Sequence, residues 1–194
     1  MTKPTPPRIG ISQCLLGDNV RYDGGHKLDS VLIETLGRHV EWVPVCPEVE
    51  VGLGTPREPM HLVGDPQAPR LVTINTRVDH TEAMRRFVQR RVRELEALNL
   101  SGFVFKSASP SCGITGVSLF NGQGMETHNG VGLFAQAFMK HFPLMPVEEE
   151  GRLHDLQAVK NFLERVLAYR LAKNPRPLSE KSGVRVPFIE RSGL

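Results

Sequence analysis

The chain is predicted to be an α/β protein: a three-layer arrangement with a mainly parallel sheet and helices on both faces. Two observations carry this. Short runs rich in β-branched and aromatic residues alternate with longer runs of helical period, the pattern of strand–helix units around a parallel sheet. In addition, Cys14, Cys46 and Cys112 each stand just beyond a strand-like run. Open sheets of this kind bind ligands outside the carboxyl ends of their strands, so the three cysteine loops are expected to converge there.

The elements follow in order. Ile9 to Ser12 reads as a short buried strand ending just before Cys14, and the glycine-punctuated loop LLGDNVRYDGG follows it. Leu28, Val31, Leu32 and Leu36 recur at helical spacing and predict a helix from about Leu28 to Arg38. Val40 to Val45 reads as a second strand that ends at Cys46. Residues 47–80 are rich in proline and glycine and are expected to form a long functional loop with one short strand at Leu71 to Ile74. Thr81 is a candidate N-cap for a helix whose apolar face is Met84, Phe87, Val88, Val92, Leu95 and Leu98. Gly102 to Phe105 is a third strand, with Lys106 at its end and the loop SASPSCG beyond it. A strand at Val117 to Phe120 and a helix from Val131 to His141 come next. After a polar junction, Pro146 to Gly151, Asp155 can cap a helix with the stripe Leu156, Val159, Leu163, Val166 and Leu167. The expected division is residues 1–150 as the main domain, and 151–194 as a helical extension with a poorly ordered tail.

Composition narrows the function classes. The chain has 194 residues, with 24 basic and 21 acidic side chains and a net charge of +3. That balance argues against a charge-driven DNA binder. The arginines at 85, 86, 90, 91 and 93 are diluted by Glu82, Glu94 and Glu96 and read as a solvated helix face. No apolar run reaches membrane-spanning length, and the N-terminus lacks a secretory apolar region, so a cytoplasmic location is expected. The oligomeric state is not legible.

In a reducing compartment three cysteines suggest metal ligands or catalytic thiols rather than disulfides. No close Cys-x-x-Cys pair marks a structural zinc site. A histidine, His26 or His128, could complete a zinc site. Three thiolates could instead hold a [4Fe-4S] cluster with one iron left open. A cysteine nucleophile such as Cys112 is the third option, and it would leave the other two cysteines without a role.

The motifs resemble one family. Ser12-Gln13-Cys14-Leu15-Leu16-Gly17 with Arg21-Tyr22-Asp23-Gly24, then Cys46-Pro47-Glu48-Val49-Glu50-Val51-Gly52-Leu53 with Pro56-Arg57, then Lys106 with Ser109-Pro110-Ser111-Cys112-Gly113, are similar in identity and order to the motifs of the DUF523 family. The resemblance implies a [4Fe-4S] cluster on Cys14, Cys46 and Cys112. It further implies non-redox removal of sulfur, as hydrogen sulfide, from a thiolated pyrimidine: a thiouracil, 4-thiouridine or a tRNA 4-thiouridine. On that reading Glu48 and Ser109 are the expected catalytic residues, and Ser111, Lys106, Arg21 and Tyr22 the expected substrate contacts. A non-catalytic iron–sulfur or zinc sensor is the competing reading. Gly151-Arg152-Leu153-His154-Asp155 with Asn161-Phe162-Leu163-Glu164-Arg165-Val166 resembles the junction to a DUF1722 domain.

Overall fold

Four strands pair in parallel in the order β2-β1-β5-β8: Glu41–Val45, Arg8–Ser12, Gly102–Phe105 and Val147–Glu149. They belong to a computed structural model that describes residues 5–173. The expected disorder of the tail falls outside those residues. The four strands form the parallel sheet that the sequence pattern predicts, and the fold is α/β. Pro44 lies in β2, an edge strand of this sheet, where a missing N–H is tolerated.

The parallel sheet is covered on both faces. Along β5, Phe103 and Phe105 project to one side and Val104 to the other, as strand period requires. On the Val104 side lie Ile9 and Ile11 of β1, Leu32 of helix α1 (Ser30–Thr35), and Val159, Phe162 and Val166 of helix α5 (Leu156–Lys173). On the other side the two phenylalanines pack against helices α3 (Thr81–Ala97) and α4 (Leu133–His141). Phe103, Phe105, Phe134 and Phe138 are fully buried. Their rings meet edge-on or offset, with the Phe103 and Phe138 centroids 4.8 Å apart. Each such ring contributes on the order of 1.5–3 kcal/mol by burial. Gly10 admits the Phe103 ring, since a Cβ there would lie 2.2 Å from Phe103 Cδ2.

A second sheet was not anticipated. Its order is β4-β3-β6-β7, from Arg70–Thr73, Met60–Val63, Val117–Phe120 and Glu126–Gly130. Only β3 and β6 pair in parallel; the outer pairs are antiparallel. Two of its strands come from stretches with no strand signal. Met60–Val63 is short and hidden in the proline-rich 47–80 segment, and β7 is polar and mostly exposed.

Element ends also differ in detail. Helix α1 spans one to two turns and is followed by a 3-10 turn at Gly37–His39, leaving Leu28 and Val31 half exposed. Thr81 does not cap α3 by its own side chain. Its hydroxyl accepts from the Leu71 N–H at 2.9 Å, and Asp79 Oδ1 takes the Thr81 N–H at 2.9 Å. Asp155 does cap α5, accepting from the Ala158 N–H at 2.8 Å. The buried face of α5 is Val159, Phe162 and Val166, while Leu156 and Leu167 are exposed. Phe162 and Val166 approach the backbone of β5 closely, and a Cβ on Gly102 would stand 3.0 Å from Val166 Cγ2.

Candidate active site

The chain runs from β1 outward to β2 and then returns to the far side of β1 to lay down β5. This reversal opens a crevice at the carboxyl ends of the strands. The three loops that leave β1, β2 and β5 there carry Cys14, Cys46 and Cys112. All three line one cavity of about 460 Å³, a volume ordinary for a small-molecule site.

Each cysteine is held by local chain geometry. Cys14 lies in a 3-10 turn, Gln13–Leu16, directly after β1. Gly17 closes that turn at φ 95°, in the left-handed region that glycine adopts without strain. The Cys14 carbonyl then accepts from the Lys27 N–H at 2.9 Å and folds the intervening loop back. Cys46 is the residue before α2 (Pro47–Glu50), a single turn with Pro47 in its favoured first position. The Cys46 N–H donates to Glu50 Oε1 at 3.0 Å, and Glu50 Oε2 lies 2.7 Å from Arg91 Nε, which fastens α2 to α3.

The Cys112 loop docks on the start of α4. The Leu133, Phe134 and Ala135 N–H groups donate to the carbonyls of Pro110 and Ser111, satisfying amides that a helix N-terminus otherwise leaves open. Gly132 permits this approach, because a Cβ there would meet the Ser111 carbonyl carbon at 2.4 Å. Ser109 Oγ accepts from the Ser111 and Cys112 N–H groups at 3.2 and 3.0 Å. Both lone pairs are thereby engaged, which leaves the hydroxyl proton free to donate.

Most of the expected site residues come together. Glu48, Ser109, Lys106, Arg21 and Tyr22 line the cavity with the cysteines. Glu48 is 8% exposed, and its Oε2 lies 3.6 Å from Cys46 Sγ and 4.0 Å from Arg57 Nη2. Ser111 is the exception. It is fully buried, it is not among the lining residues, and its hydroxyl has no partner among the described residues. It thus stands apart from the other expected site residues, on the segment whose carbonyls receive the first amides of α4. Neither His26 nor His128 lines the cavity. His26 Nδ1 accepts the Leu28 N–H, and His128 stands in β7 beside Ser118.

Other contributors carried no strong sequence signal. Arg57 sits at the cavity, its Nη1 donates to the Val20 carbonyl at 2.9 Å, and its N–H donates to the Tyr22 carbonyl at 2.8 Å. It thus joins the first cysteine loop to the second. Ser12 Oγ accepts the Lys106 N–H at 2.9 Å. Pro59, Met60 and Ile74 bring an apolar wall from the second sheet. Of these, only Ser12 and Arg57 lay within the quoted motifs.

Burial pushes the Cys14 thiol up to about 11, with the Glu48 carboxylate adding to the rise, while Lys106 and Arg21 oppose it. Burial likewise raises Cys46 to about 12, again with Glu48 as the next cause. Cys112, the most enclosed, is raised well above the ordinary thiol value by burial and then by Glu48. An activated nucleophile needs the opposite shift, so the thiols as they stand do not suit a cysteine hydrolase. Thiolate ligands are formed when a metal displaces those protons.

Among the described residues, no three His, Cys, Asp or Glu side chains gather around a point as ligands of a single ion. All three cysteines nevertheless line the one cavity. A donor set of three soft thiolates around a cavity fits a multi-iron cluster, whereas zinc takes four ligands drawn to within roughly 2.3 Å of one centre.

Comparison with known proteins points the same way. Residues 9–150 match the family model described as 2-thiouracil desulfurase. YbbK of Bacillus subtilis (strain 168), an uncharacterized protein, is 32% identical over 111 residues, which cover 54% of this chain and 72% of YbbK. The solved structure of the [4Fe-4S]-dependent thiouracil desulfidase TudS is 30% identical, with a TM-score of 0.64 over 81% of this chain and 98% of TudS.

Proposed function

Since this chain belongs to the 2-thiouracil desulfurase (DUF523) family, we propose that it removes sulfur from a thiolated pyrimidine, as free base or nucleoside, at the three-cysteine cavity. The observation that carries this reading is the meeting of Cys14, Cys46 and Cys112 with Glu48, Ser109 and Lys106 on one cavity. The balance is simple. Water replaces sulfur on the ring carbon, a C=S becomes a C=O, and hydrogen sulfide leaves with no net electron transfer.

Cys14, Cys46 and Cys112 are the residues that would hold the [4Fe-4S] cluster. When bound, a cluster with three protein thiolates supplies an open, soft Lewis-acidic iron suited to a thiocarbonyl sulfur. The chain's own side chains divide the remaining work. Glu48 Oε2 takes a proton from the attacking water and returns it to the departing sulfur. The Ser109 hydroxyl donates to a polar edge of the ring. Lys106 places a positive charge where negative charge develops. Arg21 and Tyr22 stand at the cavity together, with the guanidinium 5.2 Å from the ring centroid, and bind the pyrimidine. Pro59, Met60 and Ile74 give the cavity an apolar wall for the ring.

Anaerobic reconstitution followed by iron and sulfide analysis tests the ligand set. Loss of the thiocarbonyl absorbance of 4-thiouracil, matched by sulfide release, tests the activity. A full cluster load with no desulfuration of thiouracil or thiouridine overturns the reaction while leaving the ligands standing. Zinc recovered in place of iron favours a sensor.

A further inference from the structure

The polar stretch Glu148-Glu149-Glu150 closes the edge strand β8, and its carboxylates have separate partners. Glu148 holds Arg165 of α5 at 3.0 Å and Arg152 at 3.4 Å. Glu149 Oε1 accepts the Ile114 N–H at 2.8 Å and, more weakly, the Thr115 N–H at 3.4 Å. Glu150 accepts the Ser107 N–H and the Ser107 hydroxyl, each at 2.7 Å, and the Lys106 ammonium. Glu149 and Glu150 therefore grip the two ends of the segment that carries Ser109 and Cys112.

Glu150 is 8% exposed, and it is not among the residues lining the cavity. It reaches the cavity through Lys106. The Lys106 ammonium also donates to the Ser107 carbonyl at 3.0 Å and the Ser107 hydroxyl at 2.9 Å. With Glu150, those contacts use all three of its N–H donors. A lysine so held is a fixed charge rather than a mobile proton source. Without the carboxylate its flexible stem would be held only by the neighbouring Ser107.

We infer that Glu150 is a positioning residue, which fixes the Lys106 charge and the start of the Cys112 loop against the end of the parallel sheet. This rests on the reading of the cavity as the reaction site, but the placement of the loop is measurable without turnover. Parallel pairing of β8 with β5 sets Phe105 beside Glu149, so the carboxylates arrive next to the strand end from which Lys106 emerges. The sequence separates Glu150 from Lys106 by a helix and three strands, and only the sheet order brings them together.

The test uses full-length protein reconstituted anaerobically, as wild type, Glu150→Gln, Lys106→Met and the double variant. Amide hydrogen exchange over residues 106–115 is expected to speed by about tenfold or more in Glu150→Gln, with iron content retained. The kcat for 4-thiouracil is expected to fall by about tenfold or more while KM changes less than about threefold. In the Lys106→Met background the same substitution should cost less than about twofold, because the partner is already gone. Unchanged exchange in that segment overturns the inference, even if the wild type desulfurates nothing. An undiminished loss in the Lys106→Met background overturns it equally. Glu150→Asp, which keeps the charge, is expected to recover part of the kcat and covers the case in which Glu150→Gln does not fold. Failure of Glu150→Asp to exceed Glu150→Gln, or, where Glu150→Gln is not folded, wild-type exchange and kcat in Glu150→Asp, counts against the positioning role.

Discussion

The parallel sheet and the mixed sheet face the same cavity but bring different chemistry to it. In the parallel sheet β5 is buried along its whole length, and β1 is buried except at its first residue. Such strands read as continuous apolar runs, and the polar residues crowd into the loops at their ends. Cys14, Cys46, Glu48, Lys106 and Ser109 all lie in those loops. In the mixed sheet β6 alternates buried and half-buried residues, and β7 is exposed until its last residue. It sends Met60 to the cavity from β3 itself, with Ile74 just past the end of β4. One sheet supplies reactive groups and the other supplies shape. Removing residues from each should therefore change different kinetic constants.

The largest effect is expected at the thiols. Cys14→Ser, Cys46→Ser and Cys112→Ser should each abolish desulfuration and bound iron together, read by iron analysis alongside the absorbance assay. Retention of a full cluster by any of these variants breaks the three-ligand assignment. Glu48→Gln should keep the iron but lower kcat by roughly 10²–10⁴-fold, the range for loss of a proton-transfer group. On the mixed sheet, Met60→Ala should act mainly on KM, lowering kcat/KM by roughly tenfold, as for a lost apolar pocket contact. A fall in kcat as steep as that of Glu48→Gln would erase the division between chemistry and wall.

Two smaller effects concern stability. Gly132→Ala forces a methyl into the Ser111 backbone and should cost about 1–3 kcal/mol, seen as a lower Tm and weaker cluster retention. Asp79→Asn should cost up to about 1 kcal/mol, because charge-assisted hydrogen bonds to Thr81 and Arg70 become neutral or are lost at a partly exposed site. The Asp79 carboxyl is held down to about 2, mainly by the Thr81 hydroxyl and N–H, together with the Arg70 guanidinium. Its contribution is therefore present above the ordinary carboxylate range and lost as pH falls toward about 2. The Tm values of wild type and Asp79→Asn should converge in acid. A constant gap down to low pH would mean that the charge of Asp79 does not matter.

Much of this was legible before the structure. Ile9–Ser12, Val40–Val45 and Gly102–Phe105 announced themselves because buried parallel strands leave apolar runs of the right length. The three cysteines could be placed at one end of a sheet because each follows such a run. Met60–Val63 and Glu126–Gly130 were not legible. Half-exposed strands of four or five residues carry a weak pattern, and pairing rather than propensity makes them strands. The burial of Ser111 was not legible for a related reason: its backbone docks on α4, which lies later in the chain.

The sequence by itself determined the α/β class, the three cysteine motifs and the family, because strand period and local motif are properties of neighbouring residues. Only the tertiary structure decided that Glu150 holds Lys106, that Arg57 joins two cysteine loops, and that Met60 walls the cavity. Those contacts lie across strand order and between two sheets. Which strands become neighbours is settled by burial of the whole core, and no local stretch of sequence records it.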